Sequence, residues 1–420
     1  MTEDLLHFIW KNKLFDSRNL RTASGELIRI KKVGRHNFDA GPDFLEAQLY
    51  IGEQLWVGHV EMHLKAKDWE LHGHTGDPKY QNVILHVVLN NDYDIGRPTI
   101  DLSPFISRSL LLQHRQMMET AAWIPCENNI ESASLFYLEQ MKDRLVISRL
   151  ERKIEAIKSH LEDTQNDWSE TFYRSLLSQI GTKVNRTGFD SLAKVLPYKL
   201  ILKYGDHLED LEALLFGCAG LLIQTKDTYA AQLKERFTFL QKKHDLKIIS
   251  AVYWNFATMR PANFPTIRLA QLASLFHQKR YDFSDVLKLD KKSLSQKLKN
   301  TASTYWDEHY HFGKKSEKSR PKKLGKMAID LLFINHITPL LYAYGHYLGE
   351  FEWKDKAVDF LLDLKPESNS VMKKWTEKGL IIKTAFDSQA LLELKTEYCD
   401  SKNCLNCSLG TALLRNHHEY

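Results

Sequence analysis

The feature that most constrains this chain is a change in hydrophobic spacing near residue 135. Before it, apolar residues form short runs or alternate with polar ones, as in β-strands; after it, they recur every three or four residues, as in amphipathic helices. A chain of 420 residues also exceeds what one hydrophobic core usually organises, so two or three packed units are expected. The sequence therefore predicts an α+β protein with an N-terminal mixed-sheet domain followed by a predominantly α-helical region.

The first hundred residues predict one helix and a sheet. Residues 3–15 have the apolar spacing of a short helix, and residues 27–33, 44–51 and 55–64 have the composition of strands. A turn signal at Gly52 would pair the last two strands as a hairpin. The apolar run from Val83 to Leu89, which contains one polar residue, is rich in β-branched residues and predicts a central strand buried on both faces.

The rest of the chain predicts helices. The longest, residues 135–161, would span about seven turns, and shorter helices are predicted at residues 168–180, 189–195, 208–222, 228–244 and 266–278. The most apolar stretch runs from Ile329 to Leu348, but polar side chains such as Asp330 and Asn335 interrupt it. Because a membrane span needs roughly 20 predominantly apolar residues, we predict a buried helix there.

Composition and charge narrow the class of protein. Hydrophobic residues make up 43% and charged residues 26%, which is typical of a globular chain. The net charge of +5 tolerates a polyanionic partner without requiring one. The N-terminus begins with acidic Glu3 and Asp4 and not with a basic, then apolar secretory signal, so we predict a cytoplasmic protein with no membrane partner. The sequence contains no phosphate-cradling glycine motif, which argues against a nucleotide-driven motor.

Polar side chains gather along the predicted hairpin. If residues 55–64 continue as a strand, its two-residue period places Glu61, His63 and Lys65 on one face. The preceding strand follows a turn signal at residues 40–43 and can bring Asp43 beside this row. Two adjacent carboxylates repel each other, and a hard divalent cation with oxygen ligands relieves the repulsion. Asp43 and Glu61 are therefore predicted to bind Mg²⁺ or Mn²⁺.

Two other interpretations of this region stay open. The simpler one is an ordinary antiparallel hairpin whose polar face is solvated. The other centres on the segment that follows, where Asp68, His72 and His74 add side chains of the metal-ligand type. The same residues can serve turn formation and capping; as ligands, they would make the protein a metal hydrolase of small molecules.

The hairpin motif resembles that of the PD-(D/E)XK phosphodiesterases. Pro42 and Asp43 match that family's first element, and residues 61–63 match its acid-x-lysine element with histidine in place of lysine. The resemblance covers roughly the first 90 residues. It implies a restriction-endonuclease-like fold and a metal site that an acid of the opening helix, Glu3 or Asp4, would complete.

The resemblance also implies roles for individual residues. Asp43 and Glu61 would bind the metal ion, which polarises the phosphate and activates water in such enzymes. With histidine where lysine is usual, either His63 orients the water or Lys65 supplies the missing positive charge. A third outcome is that catalysis has been lost.

The five cysteines are too few for a disulfide scaffold, and three of them lie near the C-terminus. Cys399, Cys404 and Cys407 have C-x4-C-x2-C spacing, in which the closer pair can grip one metal ion. Cys126 is our candidate for a fourth ligand, whereas Cys218 has the apolar context of a buried thiol. We predict a structural site for Zn²⁺ or a [4Fe-4S] cluster, and the arrangement loosely resembles the iron–sulfur site of some PD-(D/E)XK recombination nucleases.

These interpretations divide the chain into a nuclease-like domain at residues 1–130, a helical region at 131–395 and a cysteine-rich tail at 396–420 that packs back on Cys126. The predicted function is metal-dependent hydrolysis of phosphodiester bonds in nucleic acid, with DNA favoured over RNA. The rival is a non-catalytic nucleic-acid-binding or scaffolding protein. The whole chain also resembles an uncharacterised family of bacterial proteins, through landmarks that include residues 34–37, the Asp68-Trp69 pair and the cysteine-rich tail. That kinship implies no activity.

Overall fold

The predicted change from strands to helices is present in the computed structural model, which describes residues 1–130, 135–223, 227–257 and 259–416. The protein is α+β and 57% helical, with a mixed sheet at the N-terminus and a helical region after it. The contacts divide the chain into two units: Met1–Asp143 with Leu392–Tyr420, and Arg144–Leu391. The predicted boundary after residue 130 adjoins residues 131–134, which lie outside the described residues, and the three-part division stays a prediction.

The first unit is built on a six-stranded mixed sheet of β1 (Ile28–Lys32), β2 (Arg35–His36), β3 (Phe44–Ile51), β4 (Gln54–Lys65), β5 (Val83–Asn90) and β6 (Thr99–Asp101). The strand order is β1-β3-β4-β5-β6, with β2 paired to β3. Strands β1, β3 and β4 pair antiparallel, whereas β4, β5 and β6 pair parallel. Strands β7 (His309–His311) and β8 (Lys314–Lys315) lie in the second unit.

The helices follow the predicted periodicity closely. They are α1 (Glu3–Asn12), α2 (Asp68–Leu71), α3 (Arg108–Glu119), α4 (Leu135–Asp163), α5 (Trp168–Ile180), α6 (Thr182–Val195), α7 (Tyr198–Lys203), α8 (Leu208–Cys218), α9 (Thr228–His244), α10 (Pro265–Ser274), α11 (Phe283–Lys288), α12 (Lys291–Leu298), α13 (Lys326–Leu332), α14 (Thr338–Leu348), α15 (Phe351–Asp363), α16 (Ser370–Glu377), α17 (Ala385–Glu393) and α18 (Ser408–Asn416). The predicted helices at 168–180 and 228–244 have the observed bounds, while α6 begins earlier and α8 ends earlier than predicted.

Helix α1 packs against β4 and so lies beside the candidate site. The Thr2 hydroxyl caps the helix by accepting a hydrogen bond from the Leu5 N–H. Leu5, Ile9 and Trp10 are buried, and the Trp10 indole N–H donates to the Val33 carbonyl. Capping and apolar burial fix the helix, which leaves its polar residues in defined positions.

A β-bulge shapes the start of β3. Phe44 pairs with Val60 and Ala47 pairs with Gly58, so β3 contains one more residue than β4 between these pairs. On the other edge of β4, a Cβ at Gly58 would lie 2.5 Å from the Asn82 carbonyl oxygen, so only glycine permits this approach to the chain leading into β5. The bulge follows Asp43 closely and changes the direction of the chain there.

The apolar stretch predicted as a buried helix forms α13 and α14, joined by a π-helical segment at Phe333–Ile337. Within the described ranges, Lys326–Leu348 is the one helix with the length and composition to cross a membrane, but 67% of its most apolar window is buried inside the protein. Burial of that extent is typical of a core helix and agrees with the prediction.

Candidate metal-binding site

Asp43 and Glu61, the two predicted carboxylate ligands, lie side by side. The Asp43 backbone N–H donates to Glu61 Oε2 at 3.1 Å, and the Met62 N–H donates to Asp43 Oδ2 at 2.9 Å. His7 of α1 places its Nε2 3.3 Å from Asp43 Oδ2. The structure thus unites the pair that the hairpin pattern predicted and adds a histidine that sequence reasoning missed.

The carboxyl group of Glu61 lies in an unfavourable environment for an anion. The residue is only 5% exposed. Burial, followed by the neighbouring Asp43 carboxylate, raises the pKa of Glu61 to about 9, and Glu3 of α1 acts in the same direction. At neutral pH the group is therefore protonated unless a cation shares the site. A divalent cation would relieve both the burial cost and the repulsion.

Three histidines form a group beside Glu61, and two of them, His63 and His74, face its Oε1 oxygen. His63 lies in β4, while His72 and His74 lie in the turn after α2, and one nitrogen of each comes within 4.8 Å of the other two. His63 Nε2 lies 3.1 Å from His72 Nδ1. Glu61 Oε1 lies 3.2 Å from His74 Nε2 and 3.7 Å from His63 Nε2. We call these three histidines and Glu61 the imidazole cluster.

The histidines of the imidazole cluster are suited to be neutral donors of lone pairs. Burial, followed by the nearby His86, lowers the pKa of His63 to about 3. Burial also lowers the pKa of His74. Because both His63 and Glu61 are uncharged at neutral pH, their contact is not an ion pair. Neutral imidazole is the form that coordinates metal ions.

His86 of β5 contacts His63 Nδ1, the ring nitrogen that does not face the imidazole cluster. It is fully buried, pairs with Glu61 across the parallel β4–β5 ladder, and places Nε2 2.9 Å from His63 Nδ1. Burial lowers the pKa of His86 to about 4. The sequence could have pointed to His86, because it is the single polar residue in the apolar run that predicted β5. A buried polar residue in a central strand requires a partner.

The remaining predicted residues of this region lie at the periphery of the site. Lys65 is at the exposed end of β4, and its N–H donates to Asp68 Oδ2 at 3.1 Å. Asp68 therefore stabilises the turn between β4 and α2. His72 is exposed and opens the imidazole cluster to solvent.

The four predicted cysteine ligands lie close to one another. Cys126, Cys404 and Cys407 are buried, and Cys399 is partly buried. Burial, followed by the thiols of Cys126, Cys407 and Cys404, raises the pKa of Cys399. Burial, with Cys407 as the next cause, raises the pKa of Cys126 to about 12. Cys218 is a fully buried thiol elsewhere, as predicted.

Specific contacts hold the tail against the segment that carries Cys126. The Lys402 ammonium, in the turn between Cys399 and Cys404, donates to the carbonyl oxygens of Met118 and Thr120. The Lys395 ammonium lies 5.4 Å from the centre of the Trp123 ring. Two cationic side chains thus anchor the tail to residues 118–123, directly before Cys126.

The fold and this site define an α+β protein with a carboxylate–imidazole cluster on a mixed sheet. The chain belongs to the family described as "Protein of unknown function (DUF2851)", whose sequence profile matches residues 3–370. The match includes the imidazole cluster and ends before the cysteine-rich tail. No curated protein and no solved structure matches the chain.

Proposed function

We propose that this protein is a divalent-cation-dependent phosphodiesterase that acts on nucleic acid in the cytoplasm, with DNA favoured over RNA. The observation that carries the proposal is the reciprocal pair of hydrogen bonds that fixes Asp43 beside Glu61. The motif resemblance requires this placement of an acid before one strand and an acid in the next. The proposal treats the N-terminal sheet as a restriction-endonuclease-like core.

Individual residues of the site would have the following roles in the reaction. Asp43 and Glu61 would hold Mg²⁺ or Mn²⁺, which when bound polarises the phosphate and makes water more acidic. The Met62 N–H fixes the Asp43 carboxylate. His7, with Nε2 3.3 Å from Asp43 Oδ2, can take up a proton at that position. Lys65, at the exposed strand end, offers a positive charge to the phosphate backbone.

A cleft beside the site supports nucleic acid as the substrate class. It has a volume of about 560 Å³, and its lining includes Trp56, Trp69 and Arg97. The Arg97 guanidinium lies 5.4 Å from the centre of the buried Trp69 ring, which in turn contacts His74 with ring centres 5.4 Å apart. The exposed Trp56 ring and the Arg97 guanidinium are groups of the kind that bind bases and phosphates of single strands.

The test is cleavage by the full-length chain of single- and double-stranded DNA and RNA, with Mg²⁺ or Mn²⁺ and with chelator. Wild type should cleave only with the cation. Asp43→Asn and Glu61→Gln should each lower the rate by more than about 100-fold, because removing even an outer partner of a metal ligand costs 10–100-fold. Asp355→Asn, an exposed acid of α15, is the matched control and should cleave as wild type does.

The rivals give different results in the same assay. Nucleic-acid binding that persists in Asp43→Asn, with no cleavage by wild type, would replace the nuclease with a non-catalytic binding protein. The grouping of His72 with His63 and His74, and the contact of His74 with Glu61, favour the small-molecule metal hydrolase as a second candidate. Hydrolysis of a simple phosphate ester that is lost in His72→Ala, without nucleic-acid cleavage, would select that candidate.

We also propose that Cys126, Cys399, Cys404 and Cys407 hold a structural metal, either Zn²⁺ or a [4Fe-4S] cluster. Four thiols are the ligand set that both groups use. Metal analysis and the visible spectrum of the anaerobically purified protein distinguish them, because an iron–sulfur protein is brown and a zinc protein is colourless. Cys404→Ser should lose the metal, and Ser401→Ala in the same turn should keep it. A wild-type protein with neither metal would overturn the proposal.

A further inference from the structure

We propose that His63, His72, His74 and Glu61 form a four-ligand site for a transition-metal ion of the zinc type. This site is distinct in chemistry from the oxygen site of Asp43 and Glu61. It does not depend on the proposed phosphodiesterase activity, since an imidazole site can hold an ion for catalysis or for structure.

The distances within the imidazole cluster fit one tetrahedral ion. Bonds of roughly 2.0–2.1 Å to nitrogen or oxygen place neighbouring ligand atoms of a tetrahedron about 3.3 Å apart. His63 Nε2 and His72 Nδ1 are 3.1 Å apart, and Glu61 Oε1 lies 3.2 Å from His74 Nε2. The 3.7 Å between Glu61 Oε1 and His63 Nε2 is close to the same edge length. These three distances, with the 4.8 Å within which one nitrogen of each histidine lies from the others, are compatible with one shared ion.

An independent observation also points to a ligand. His74 is only 9% exposed, and its Nε2 is a buried nitrogen that makes no hydrogen bond. This atom faces Glu61 Oε1 in a contact without hydrogen-bond geometry. A buried polar atom with no partner costs about 1–3 kcal/mol. Coordination would satisfy this nitrogen.

The surroundings of His63 match those of a ligating histidine. Ligating histidines usually contact an outer partner through the second ring nitrogen, which fixes the tautomer and the ring orientation. His63 has this arrangement, with Nε2 toward the imidazole cluster and Nδ1 2.9 Å from His86 Nε2. Because both nitrogens of His63 are engaged, its contacts fit a metal ligand better than a group that orients water.

The two oxygens of Glu61 separate the two sites. Oε2 accepts the Asp43 N–H, whereas Oε1 faces His63 and His74. Imidazole ligands suit Zn²⁺, Cu²⁺, Fe²⁺ or Ni²⁺, and carboxylate oxygens suit Mg²⁺ or Mn²⁺. Exposure of His72 gives the ion a route from solvent. The imidazole cluster should therefore prefer zinc over magnesium.

The test measures zinc binding to the full-length protein after removal of metals by chelator. Zinc content is determined by elemental analysis, and affinity by competition with a chromophoric chelator. Wild type should bind one equivalent more than His72→Ala or His74→Ala, or bind it at least about tenfold more tightly. The thiol site is common to all of these proteins, so the difference reports the imidazole cluster alone.

The exposed His346 of α14 provides the matched control. His346→Ala should retain the zinc stoichiometry and affinity of wild type. Because His72 is exposed, its truncation leaves the core intact, which circular dichroism checks. Equal zinc binding by wild type and His72→Ala would overturn the proposal. Zinc binding without Mg²⁺-dependent cleavage would remove only the phosphodiesterase proposal, and cleavage without zinc binding would remove only this one.

Discussion

Two buried glutamates show how differently the two units treat a carboxyl group. Glu212 of α8, in the helical unit, is fully buried and accepts hydrogen bonds from the Tyr229 and Ser303 hydroxyls, one on each oxygen. Glu61, in the sheet unit, faces a second acid and two histidines. In the first network each carboxyl oxygen accepts a hydrogen bond from a hydroxyl of the chain, whereas in the second the buried His74 Nε2 beside Glu61 makes no hydrogen bond. A closed network stabilises a core, and an open one is suited to a ligand.

The causes of the pKa shifts of the two glutamates show the same difference. Burial is the main cause that raises the pKa of Glu212, to about 7, and hydrogen bonds from Tyr229 and Ser303 oppose the rise. At Glu61 burial is again the main cause, but the next cause is the Asp43 carboxylate, which adds to the rise. The helical unit compensates its buried acid, and the sheet unit concentrates unfavourable charge at one place.

The largest expected effect is the loss of stability when the Glu212 carboxyl group is removed. Glu212→Ala should lower the free energy of unfolding of the helical unit by about 4 kcal/mol, because two partly buried hydroxyls lose their acceptor and a cavity remains at a fully buried position. Hydrogen exchange of α8 amides measures this unit separately, which matters because a chain of two units need not unfold in one step. A loss below about 1 kcal/mol would contradict the closed-network interpretation.

The next effect depends on pH. Glu212 has its pKa raised from about 4.5 to about 7 on folding, so the folded state binds more protons between these values and stability falls as pH rises through this window. The change amounts to about 3 kcal/mol. Glu212→Gln, a neutral mimic of the protonated acid, should remove this component. Parallel stability–pH curves for the two proteins from pH 4.5 to 7 would exclude it.

Zinc bound at the imidazole cluster should stabilise the sheet unit. At a free concentration one hundred times the dissociation constant, binding adds about 2.7 kcal/mol to the stability of the sheet unit. Thermal unfolding of chelator-treated protein with and without zinc measures this gain, with His346→Ala expected to match wild type. His72→Ala should show a much smaller increase in melting temperature, and an equal increase would place the ion elsewhere.

The smallest effect is the one that most sharpens the comparison. In chelator, Glu61→Gln should change the stability of the sheet unit by no more than about 1 kcal/mol, because the amide is a neutral mimic of the protonated acid and its oxygen can still accept the Asp43 N–H. Exchange of β4 amides provides the measurement. A loss as large as that in Glu212→Ala would mean that Glu61 is a structural acid.

The sequence predicted the secondary structure better than the detail of the site. The alternation and β-branching of residues 44–51 and 83–89 fixed β3 and β5 nearly to the residue, because strand formation there follows from local hydrophobic pattern. The early start of α6 was missed, because residues 182–188 lack an apolar stripe, and the helix to which they belong packs on α5 and other elements of the folded unit. Local pattern cannot reveal that contribution.

The sequence by itself determined the α+β class, the meeting of Asp43 with Glu61, and the set of side chains available for metal binding. These follow from the two-residue period of a strand and from chain proximity across one hairpin. Only the tertiary structure decided that His63 turns toward His72 and His74, that His86 supports it, and that His7 of α1 reaches Asp43. Those contacts join separate elements through a parallel strand crossover, a turn and a docked helix, and no local period encodes where such elements meet.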